Sequence, residues 1–415
     1  MKIFKFGGTS VKDADGVKNL ISILRREGID SKIIIISAMG KMTNAFEEIV
    51  DSYCKKDGNL IDKIAFVRNY HLKIITDLFD DNSHSIYMII EQKFAQLSGF
   101  MAKNKSNDYN FIYDQIVGYG ELLSTVITSS YINEIGIKND WIDVRELIKT
   151  DANYRDAKVN WEITQKNIST KIDTSKLTIT QGFIASDGEN TTTLGREGSD
   201  FSAAIFAYCL NAKSVTIWKD VQGVLNADPR HFKKTELLTQ VSYREAIEMA
   251  FYGASVIHPK TLKPLENKLI PLHVRSFINL KNEGTTVQKG KYLEPKIPCF
   301  ILKKNQVLLS ISALDFSFMV EHNIRDIFNF LHDYKLKVNL IQNSALSFSV
   351  CIEDQFNNFN TFYDSIKSKY KVSFNENTTL YTIRHFDENS VTEIEKNNTV
   401  LLKQISKETL QVVVL

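Results

Sequence analysis

Short strand-like and helix-like segments alternate along the first 280 residues of this chain. Apolar runs bounded by turn residues predict strands at 2–6, 32–37, 141–143, 177–182, 214–218 and 271–274. Apolar residues at the helical period predict helices at 11–27, 44–55, 114–135, 199–211, 242–253 and 259–267, with a helical insertion at 57–106. The alternation predicts an α/β domain over residues 1–280, with a mostly parallel sheet sandwiched by helices.

A change of composition follows this domain. Residues 281–298 are rich in Gly, Lys, Thr and Pro, as is typical of a linker. Residues 299–415 then predict a βαββαβ order, which is ferredoxin-like and α+β: strands at 307–312, 337–341, 347–352 and 371–374 and helices at 323–334 and 359–370. A second, shortened unit has strands at 379–385, 399–405 and 410–415 and a helix at 389–395. A generic accessory domain is the alternative interpretation.

The bulk composition excludes several classes of partner. Of 415 residues, 51 are basic and 49 acidic, so the net charge of +2 predicts neither nucleic-acid nor membrane binding. The aliphatic run 33–36 is too short for a bilayer, and no secretory signal is recognised. The cysteines lack disulfide or metal-ligand spacing, so we expect reduced thiols, no protein-held metal and a cytoplasmic protein; they are Cys54, Cys209, Cys299 and Cys351.

A glycine pair follows the first predicted strand, with a lysine before it and a serine after it. Gly7 and Gly8 leave backbone amides open to anions, Lys5 adds a positive charge, and Ser10 adds a hydroxyl. This combination suits a polyphosphate, although the lysine precedes the glycines and the spacing is not that of a P-loop. A plain tight turn is the alternative.

Three later segments carry polar residues at predicted loop–helix junctions. Ser37 and Thr43 follow the second strand, where Thr43 could equally cap a helix. Glu121 lies at the start of an apolar helix, where a purely structural role as a negative charge that favours the helix dipole is the alternative to a binding role. In the third segment, Arg196 could bind a carboxylate through paired hydrogen bonds. For Asp200, near the start of the next helix, the alternative is again a negative charge that favours the helix dipole.

Residues 3–11, IFKFGGTSV, resemble the amino-terminal signature of aspartate kinases in the amino acid kinase family, and the later segments match that family in order. The resemblance implies two catalytic residues, Lys5 and Asp200. It implies the aspartate-binding residues Ser37, Thr43, Glu121, Phe183, Arg196 and Ser199. It also implies the nucleotide-binding residues Lys5, Gly7, Gly8, Ser10, Lys219, Asp220, Arg230, Ser255 and Val256.

Four positions depart from the family pattern. Glu197 stands where many relatives have glycine, and Lys219 replaces a frequent threonine. Leu225 and Ser255 stand where some relatives have tyrosine and lysine. These changes leave the contacts to ATP and substrate open.

The carboxyl-terminal region resembles the paired ACT domains that regulate aspartate kinases. The resemblance implies a homodimer or higher homo-oligomer and an amino-acid effector, with lysine as the first expectation and threonine as the second. Gln342, Asn343 and Ser344 match the effector loop, although a plain polar turn explains them nearly as well.

The implied activity is ATP-dependent phosphorylation of the β-carboxylate of L-aspartate to 4-phospho-L-aspartate, the first step towards lysine, threonine and methionine. ATP is the co-substrate, with Mg²⁺ held mainly by the nucleotide. The rivals are a kinase for another amino acid and a silent amino-acid sensor. A dehydrogenase module is not expected, because no Gly-x-Gly-x-x-Gly strand–helix unit occurs.

Overall fold

The computed structural model describes residues 1–254, 257–290, 293–315, 317–396 and 398–415. These residues form two compact units. The first comprises Met1–Val224, Leu237–Ile247 and Ile257–Leu293. The second comprises Leu225–Glu236, the described residues between 248 and 254, and Glu294–Leu415. No helix in the described ranges combines the length and the apolarity that crossing a bilayer requires.

The strands in the first part of the chain are short. In chain order they are β1 (Lys2–Phe6), β2 (Lys32–Ile36), β3 (Asp140–Trp141), β4 (Leu177–Gln181), β5 (Ile184–Ser186), β6 (Thr191–Thr193), β7 (Ser214–Lys219), β8 (Val224–Leu225), β9 (Leu237–Leu238), β10 (Gln240–Ser242), β11 (Leu272–Ser276), β12 (Thr285–Gln288) and β13 (Leu293–Glu294). Among the described residues the main sheet has nine strands, in the order β13-β10-β12-β11-β7-β1-β2-β4-β3. The pairs from β11 to β3 are all parallel, and β5 and β6 form a separate antiparallel hairpin.

Both faces of this sheet are buried. Phe4 and Phe6 of β1 pack with the core on one face, and Ile3 and Ile35 point to the other face and are equally inaccessible. A parallel sheet with buried faces needs helices on each side. The helices are α1 (Ala14–Glu27), α2 (Met42–Lys55), α3 (Leu60–Leu78), α4 (Ser85–Lys103), α5 (Tyr109–Val117), α6 (Tyr119–Glu134), α7 (Trp161–Lys171), α8 (Gly198–Leu210), α9 (Tyr243–Tyr252) and α10 (Pro259–Asn267). The predicted α/β class and the helical insertion, α3 with α4, are confirmed.

Several predicted bounds were wrong. The helix predicted at 114–135 is two helices, α5 and α6, which meet at Gly118. A Cβ at Gly118 would lie 3.1 Å from Ile184 Cγ2, so the glycine lets the β5–β6 hairpin approach the junction. The helix predicted from residue 11 begins at Ala14, because the Asp13 side chain caps it by accepting from the Gly16 amide at 2.8 Å. Residues 281–298, predicted to be a linker, include the sheet strands β12 and β13.

The second unit is built on an antiparallel sheet. Its strands are β14 (Cys299–Ala313), β15 (Lys337–Asn343), β16 (Phe348–Glu353), β17 (Tyr370–Arg384), β18 (Val400–Ile405) and β19 (Thr409–Val414). Its helices are α11 (Glu321–Asp333), α12 (Phe359–Ile366) and α13 (Glu388–Glu395). The described strands follow the order β15-β16-β14-β17-β19-β18. The first four have the ferredoxin-like order, which confirms the predicted α+β class.

One continuous strand joins the two predicted halves of this region. The strands predicted at 371–374 and 379–385 are both part of β17, because β17 pairs with the long β14 from Tyr370 to Arg384. The helix predicted at 359–370 ends at Ile366. The strand predicted at 337–341 continues to Asn343, so Gln342 and Asn343 lie in β15 and not in a loop.

Candidate functional site

The carboxyl ends of the central strands bring the predicted motifs together. β1 lies between β2 and β7, and Phe6 is in register with Ile36 and Trp218. The segments that follow β1, β2, β4 and β7 therefore leave the sheet at one edge. The glycine pair, the Ser37 loop, Phe183 and Lys219 belong to these segments or strand ends.

The loop after β1 packs backbone against backbone on the loop after β2. A Cβ at Gly8 would lie 2.5 Å from the Ala38 carbonyl oxygen, and the Gly40 amide donates to the Gly8 carbonyl at 2.9 Å. Only glycine fits there. A Cβ at Gly7 would lie 3.5 Å from the Lys5 ammonium, so this loop lies directly beneath that charge. Ser10 is buried, and its hydroxyl donates to the Trp218 carbonyl at 3.5 Å.

Lys5 and Asp200 form a buried ion pair at the sheet edge. The Lys5 ammonium lies 2.7 Å from Asp200 Oδ1, and the Lys219 ammonium lies 4.0 Å from Asp200 Oδ2. Burial alone would raise the pKa of Asp200, but the charges of Lys5 and Lys219 and the hydrogen bond from Lys5 outweigh burial and hold the pKa below its ordinary value. Asp200 is therefore a carboxylate, and it keeps two cations together.

Glu121 is a buried acid with one free oxygen among the described residues. The Ala38 amide donates to Oε1 at 3.3 Å, and Oε2 has no hydrogen-bond partner there. Burial raises the pKa of Glu121 to about 8, although the backbone hydrogen bonds and the charge of Lys5 oppose the rise. A cation that reached Oε2 would stabilise the ionised form.

Phe183 and Ser199 lie where α8 begins. Phe183 has a left-handed φ of +70°, and its amide donates to Ser202 Oγ at 3.0 Å. A Cβ at Gly182 would lie 2.5 Å from Ser199 Cβ, so only glycine allows this close packing. Glu197, also left-handed with φ +53°, accepts from the His258 amide at 2.8 Å. A glycine would adopt the Glu197 backbone without strain.

One cavity of about 460 Å³ lies in the first unit. Nine predicted residues line it: Lys5, Ser37, Thr43, Glu121, Phe183, Arg196, Ser199, Asp200 and Lys219. Thr43 is the second residue of α2, which starts without a side-chain cap, so the capping alternative for Thr43 is wrong. Arg196 is exposed and forms no ion pair with any described residue.

Other predicted residues do not line this cavity. Gly7, Gly8 and Ser10 belong to the segment after β1 but are not among the lining residues, and Asp220 is exposed after β7. Arg230 belongs to the second unit, where its guanidinium lies 2.6 Å from Asp228. Ser255 and Val256 lie outside the described residues. Gln342, Asn343 and Ser344 are exposed in the second unit, where Ser344 forms a turn with Ser347.

The sequence analysis missed five residues of the lining: Tyr113, Arg155, Thr193, Gly195 and Gly198. Arg155 lies between the predicted motifs at Glu121 and Arg196, and its place depends on contacts with α5 that no local pattern encodes. Within the described part of the chain, no group of three or more His, Cys, Asp or Glu side chains could hold a metal ion.

Residues 1–276 match the profile of the amino acid kinase family. A similar sequence is bifunctional aspartokinase/homoserine dehydrogenase 2 of Arabidopsis thaliana, 29% identical over 384 residues, which cover 89% of this chain and 42% of the relative. Lysine-sensitive aspartokinase 3 of Escherichia coli is 29% identical over 358 residues, covering 85% of this chain and 78% of the relative. The chain thus spans about two fifths of the bifunctional plant relative.

Two solved structures are similar over the whole chain. Escherichia coli aspartokinase III, in complex with lysine and aspartate, gives a TM-score of 0.81 at 26% identity, and the match covers 100% of this chain and 95% of that one. Clostridium acetobutylicum aspartate kinase gives a TM-score of 0.82 at 22% identity, with 100% and 96% covered, a likeness that concerns the fold alone.

Proposed function

Because the chain belongs to the amino acid kinase family, we propose that it transfers the γ-phosphoryl group of ATP to the β-carboxylate of L-aspartate. The products are 4-phospho-L-aspartate and ADP. One observation carries the proposal: a single cavity holds the Lys5–Asp200 ion pair together with Arg196 and Glu121. The names of the similar proteins, aspartokinases from a plant and a bacterium, support the choice of acceptor.

Phosphoryl transfer requires the protein to position the two substrates and to neutralise the negative charge on the phosphates. A β-carboxylate has an ordinary pKa of about 4, so it is already a nucleophile at neutral pH and needs no general base. Lys5 stabilises negative charge on the transferring phosphoryl group, and Asp200 acts by holding the Lys5 ammonium at 2.7 Å. Mg²⁺ bound to ATP would neutralise part of the phosphate charge, and would be held mainly by the nucleotide.

The acceptor's other groups have matching partners in the cavity. Arg196 receives the α-carboxylate through paired hydrogen bonds, and the free Oε2 of Glu121 receives the α-ammonium. The hydroxyls of Ser37, Thr43 and Ser199 are further donors. This distribution suits a small amino acid with a second carboxylate.

We propose the remaining roles from the resemblance. Gly7, Gly8 and Ser10 bind ATP with Lys219, and Asp220, Arg230, Ser255 and Val256 contribute further contacts. Residues 1–280 form the catalytic domain and 299–415 the ACT-type regulatory region, with 281–298 between them. The protein is cytoplasmic and acts in the first step towards lysine, threonine and methionine.

We propose that the second unit binds an end-product amino acid, with lysine as the first choice, at Gln342, Asn343 and Ser344. The proposal includes a homodimer or higher homo-oligomer formed through this region. The choice of lysine is supported by the similar Escherichia coli protein, which is named lysine-sensitive and has been solved with lysine.

The test is ADP release coupled to a dehydrogenase, with acyl phosphate trapped as the hydroxamate. We expect ADP and aspartyl hydroxamate in equal amounts with L-aspartate, and little of either with glutamate or acetylglutamate. Equal turnover with glutamate would identify a kinase for another amino acid. No acceptor-dependent ADP from any of the three would identify a silent sensor. Added lysine, threonine or methionine then tests feedback inhibition.

A further inference from the structure

Arg155 places a second guanidinium at the candidate cavity. It lines the same cavity as Arg196. Its guanidinium carbon lies 4.3 Å from the centroid of the Tyr113 ring, and Tyr113 also lines the cavity. The Tyr113 hydroxyl donates to Glu47 Oε1 at 2.7 Å. A flat cation over an anchored ring keeps a defined orientation.

The backbone of Arg155 is held in a conformation that suits glycine. Its φ is +70°, which costs a residue with a side chain about 1 kcal/mol. The Arg155 amide donates at 3.0 Å to the buried Asp114, whose carboxylate also accepts from the amide and hydroxyl of Thr193, both at 2.8 Å. Burial raises the pKa of Asp114 to about 6 although these hydrogen bonds oppose the rise. An arginine kept at a strained position against a cavity indicates a functional contact.

The backbone also places Arg155 beside the segment that carries Arg196. A Cβ at Gly195, where φ is +74°, would lie 3.1 Å from the Arg155 carbonyl oxygen. Lys260 joins the same two segments, since its ammonium pairs with Asp156 and donates to the Leu194 carbonyl at 3.2 Å. The residues next to each guanidinium are thus linked.

We propose that Arg155 and Arg196 together bind the carboxylate of the acceptor that is not phosphorylated, so that Arg155 selects acceptors with two carboxylates. Neither arginine forms an ion pair within the described ranges of the chain, so both charges are available to a ligand. The other cations of the cavity, Lys5 and Lys219, both form ion pairs with Asp200. The inference rests on the proposed function, because it names a determinant of the same acceptor site.

The test variant is Arg155→Gly. Glycine removes the guanidinium, relieves the strain of the positive φ and keeps the hydrogen bond from the backbone amide to Asp114, so the fold is retained. We expect the KM for aspartate to rise about tenfold, the loss of one charged hydrogen-bonding group, while kcat and the KM for ATP stay within about twofold. Arg155→Lys keeps the positive charge but not the paired N–H donors of the guanidinium, so we expect its KM for aspartate to lie between those of the wild type and Arg155→Gly.

A matched control is Lys56→Gly. Lys56 is also an exposed cation with a left-handed φ, +54°, but it ends α2 and does not line the cavity. This variant leaves both KM values unchanged. A rise in the KM for aspartate with Lys56→Gly would mean that net charge alone explains the effect and would overturn the inference.

Selectivity separates the acceptor from the nucleotide. The alternative acceptor is the α-amide of aspartate, which lacks the second carboxylate. We expect Arg155→Gly to lower the ratio of kcat/KM for aspartate to kcat/KM for this amide about tenfold. An unchanged preference, or a rise in the KM for ATP alone, refutes the inference. Calorimetric titration with aspartate supplies the readout without turnover: a wild-type chain that binds aspartate through Arg155 but releases no ADP refutes the proposed function and leaves the Arg155 contact standing.

Discussion

If Glu121 receives the α-ammonium of the acceptor as proposed, we expect Glu121→Gln to make acceptor binding independent of pH. Glu121 is 2% exposed and its Oε2 faces no described partner. Burial raises the pKa of Glu121 to about 8, against an ordinary value of 4.5. Near neutral pH the free protein therefore carries mostly the protonated acid. An incoming α-ammonium needs the carboxylate, so binding releases a proton.

The size of the effect follows from the ionised fraction. With a pKa of about 8, roughly a tenth of Glu121 is ionised at pH 7 and half at pH 8. Only the ionised fraction binds, so the KM for aspartate falls roughly fivefold between these pH values and approaches a limit above them. The sign is fixed: affinity rises with pH. For Glu121→Gln we expect a KM at least about tenfold higher at pH 8 and flat with pH, because an amide binds ammonium more weakly and does not titrate.

The assay is the initial rate of ADP release at saturating ATP from pH 6.5 to 8.5. Glu189→Gln, at an exposed acid in the β5–β6 turn, is the matched control and keeps the wild-type profile. A wild-type KM that is flat or rises with pH refutes the assignment of Glu121. So does a slope that persists in Glu121→Gln.

The same pKa predicts a stability change of known sign. The folded-state pKa of Glu121 is raised, so its favourable contribution is complete below about pH 4.5 and is lost as the pH rises through about 8. Glu121→Gln should therefore raise Tm at pH 9 by at least roughly 2 °C and leave Tm unchanged at pH 5. Differential scanning calorimetry at both pH values measures this, and a Tm that falls at pH 9 contradicts the burial argument.

Four further changes test other parts of the account. Lys5→Ala should lower kcat roughly a hundredfold with the fold intact by circular dichroism, and wild-type turnover would remove Lys5 from the mechanism. Arg196→Ala should weaken aspartate binding about tenfold or more in calorimetry with ATP binding unchanged, whereas weakened ATP binding would assign it to the nucleotide. Gly8→Ala should cost about 1–3 kcal/mol in urea unfolding, because its Cβ would lie 2.5 Å from the Ala38 carbonyl; an unchanged midpoint contradicts the packing. Asn343→Ala should shift the lysine inhibition curve at least about fivefold without changing kcat, and an unshifted curve removes Asn343 from the effector site.

The strands that lead to the candidate site could be predicted from the sequence, because each is a short apolar run that ends at a polar loop. The strand predicted at 2–6 matches β1, and the membership of the amino acid kinase family inferred from residues 3–11 is confirmed. Helix starts were less accurate, since α1 is capped by the side chain of Asp13 and begins at Ala14, three residues after the predicted start.

The second unit was harder to predict because its strand bounds depend on partners far along the chain. Residues 375–378 are polar and mostly exposed, so the sequence indicated a break. Pairing with β14 carries β17 through them. The same nonlocal pairing extends β15 through Gln342 and Asn343. The bounds of such strands depend on a partner far along the chain, which a local pattern does not identify.

The residues that line the cavity could be predicted only where they belong to a recognisable motif. Lys5 and Arg196 stood in recognisable segments, but their shared cavity depends on α8 packing against β1. Arg155 was missed because it lies in a polar segment outside the recognised motifs, and its positive φ is invisible in sequence.

A structure of the chain with L-aspartate and a non-hydrolysable ATP analogue tests the central claim most directly. We expect the β-carboxylate to face the γ-phosphate, with the Lys5 ammonium on the γ-phosphate oxygens. We expect the α-carboxylate on Arg196 and Arg155, and the ammonium on Glu121 Oε2. Aspartate found outside the cavity, or a γ-phosphate with no approach to Lys5, would contradict it.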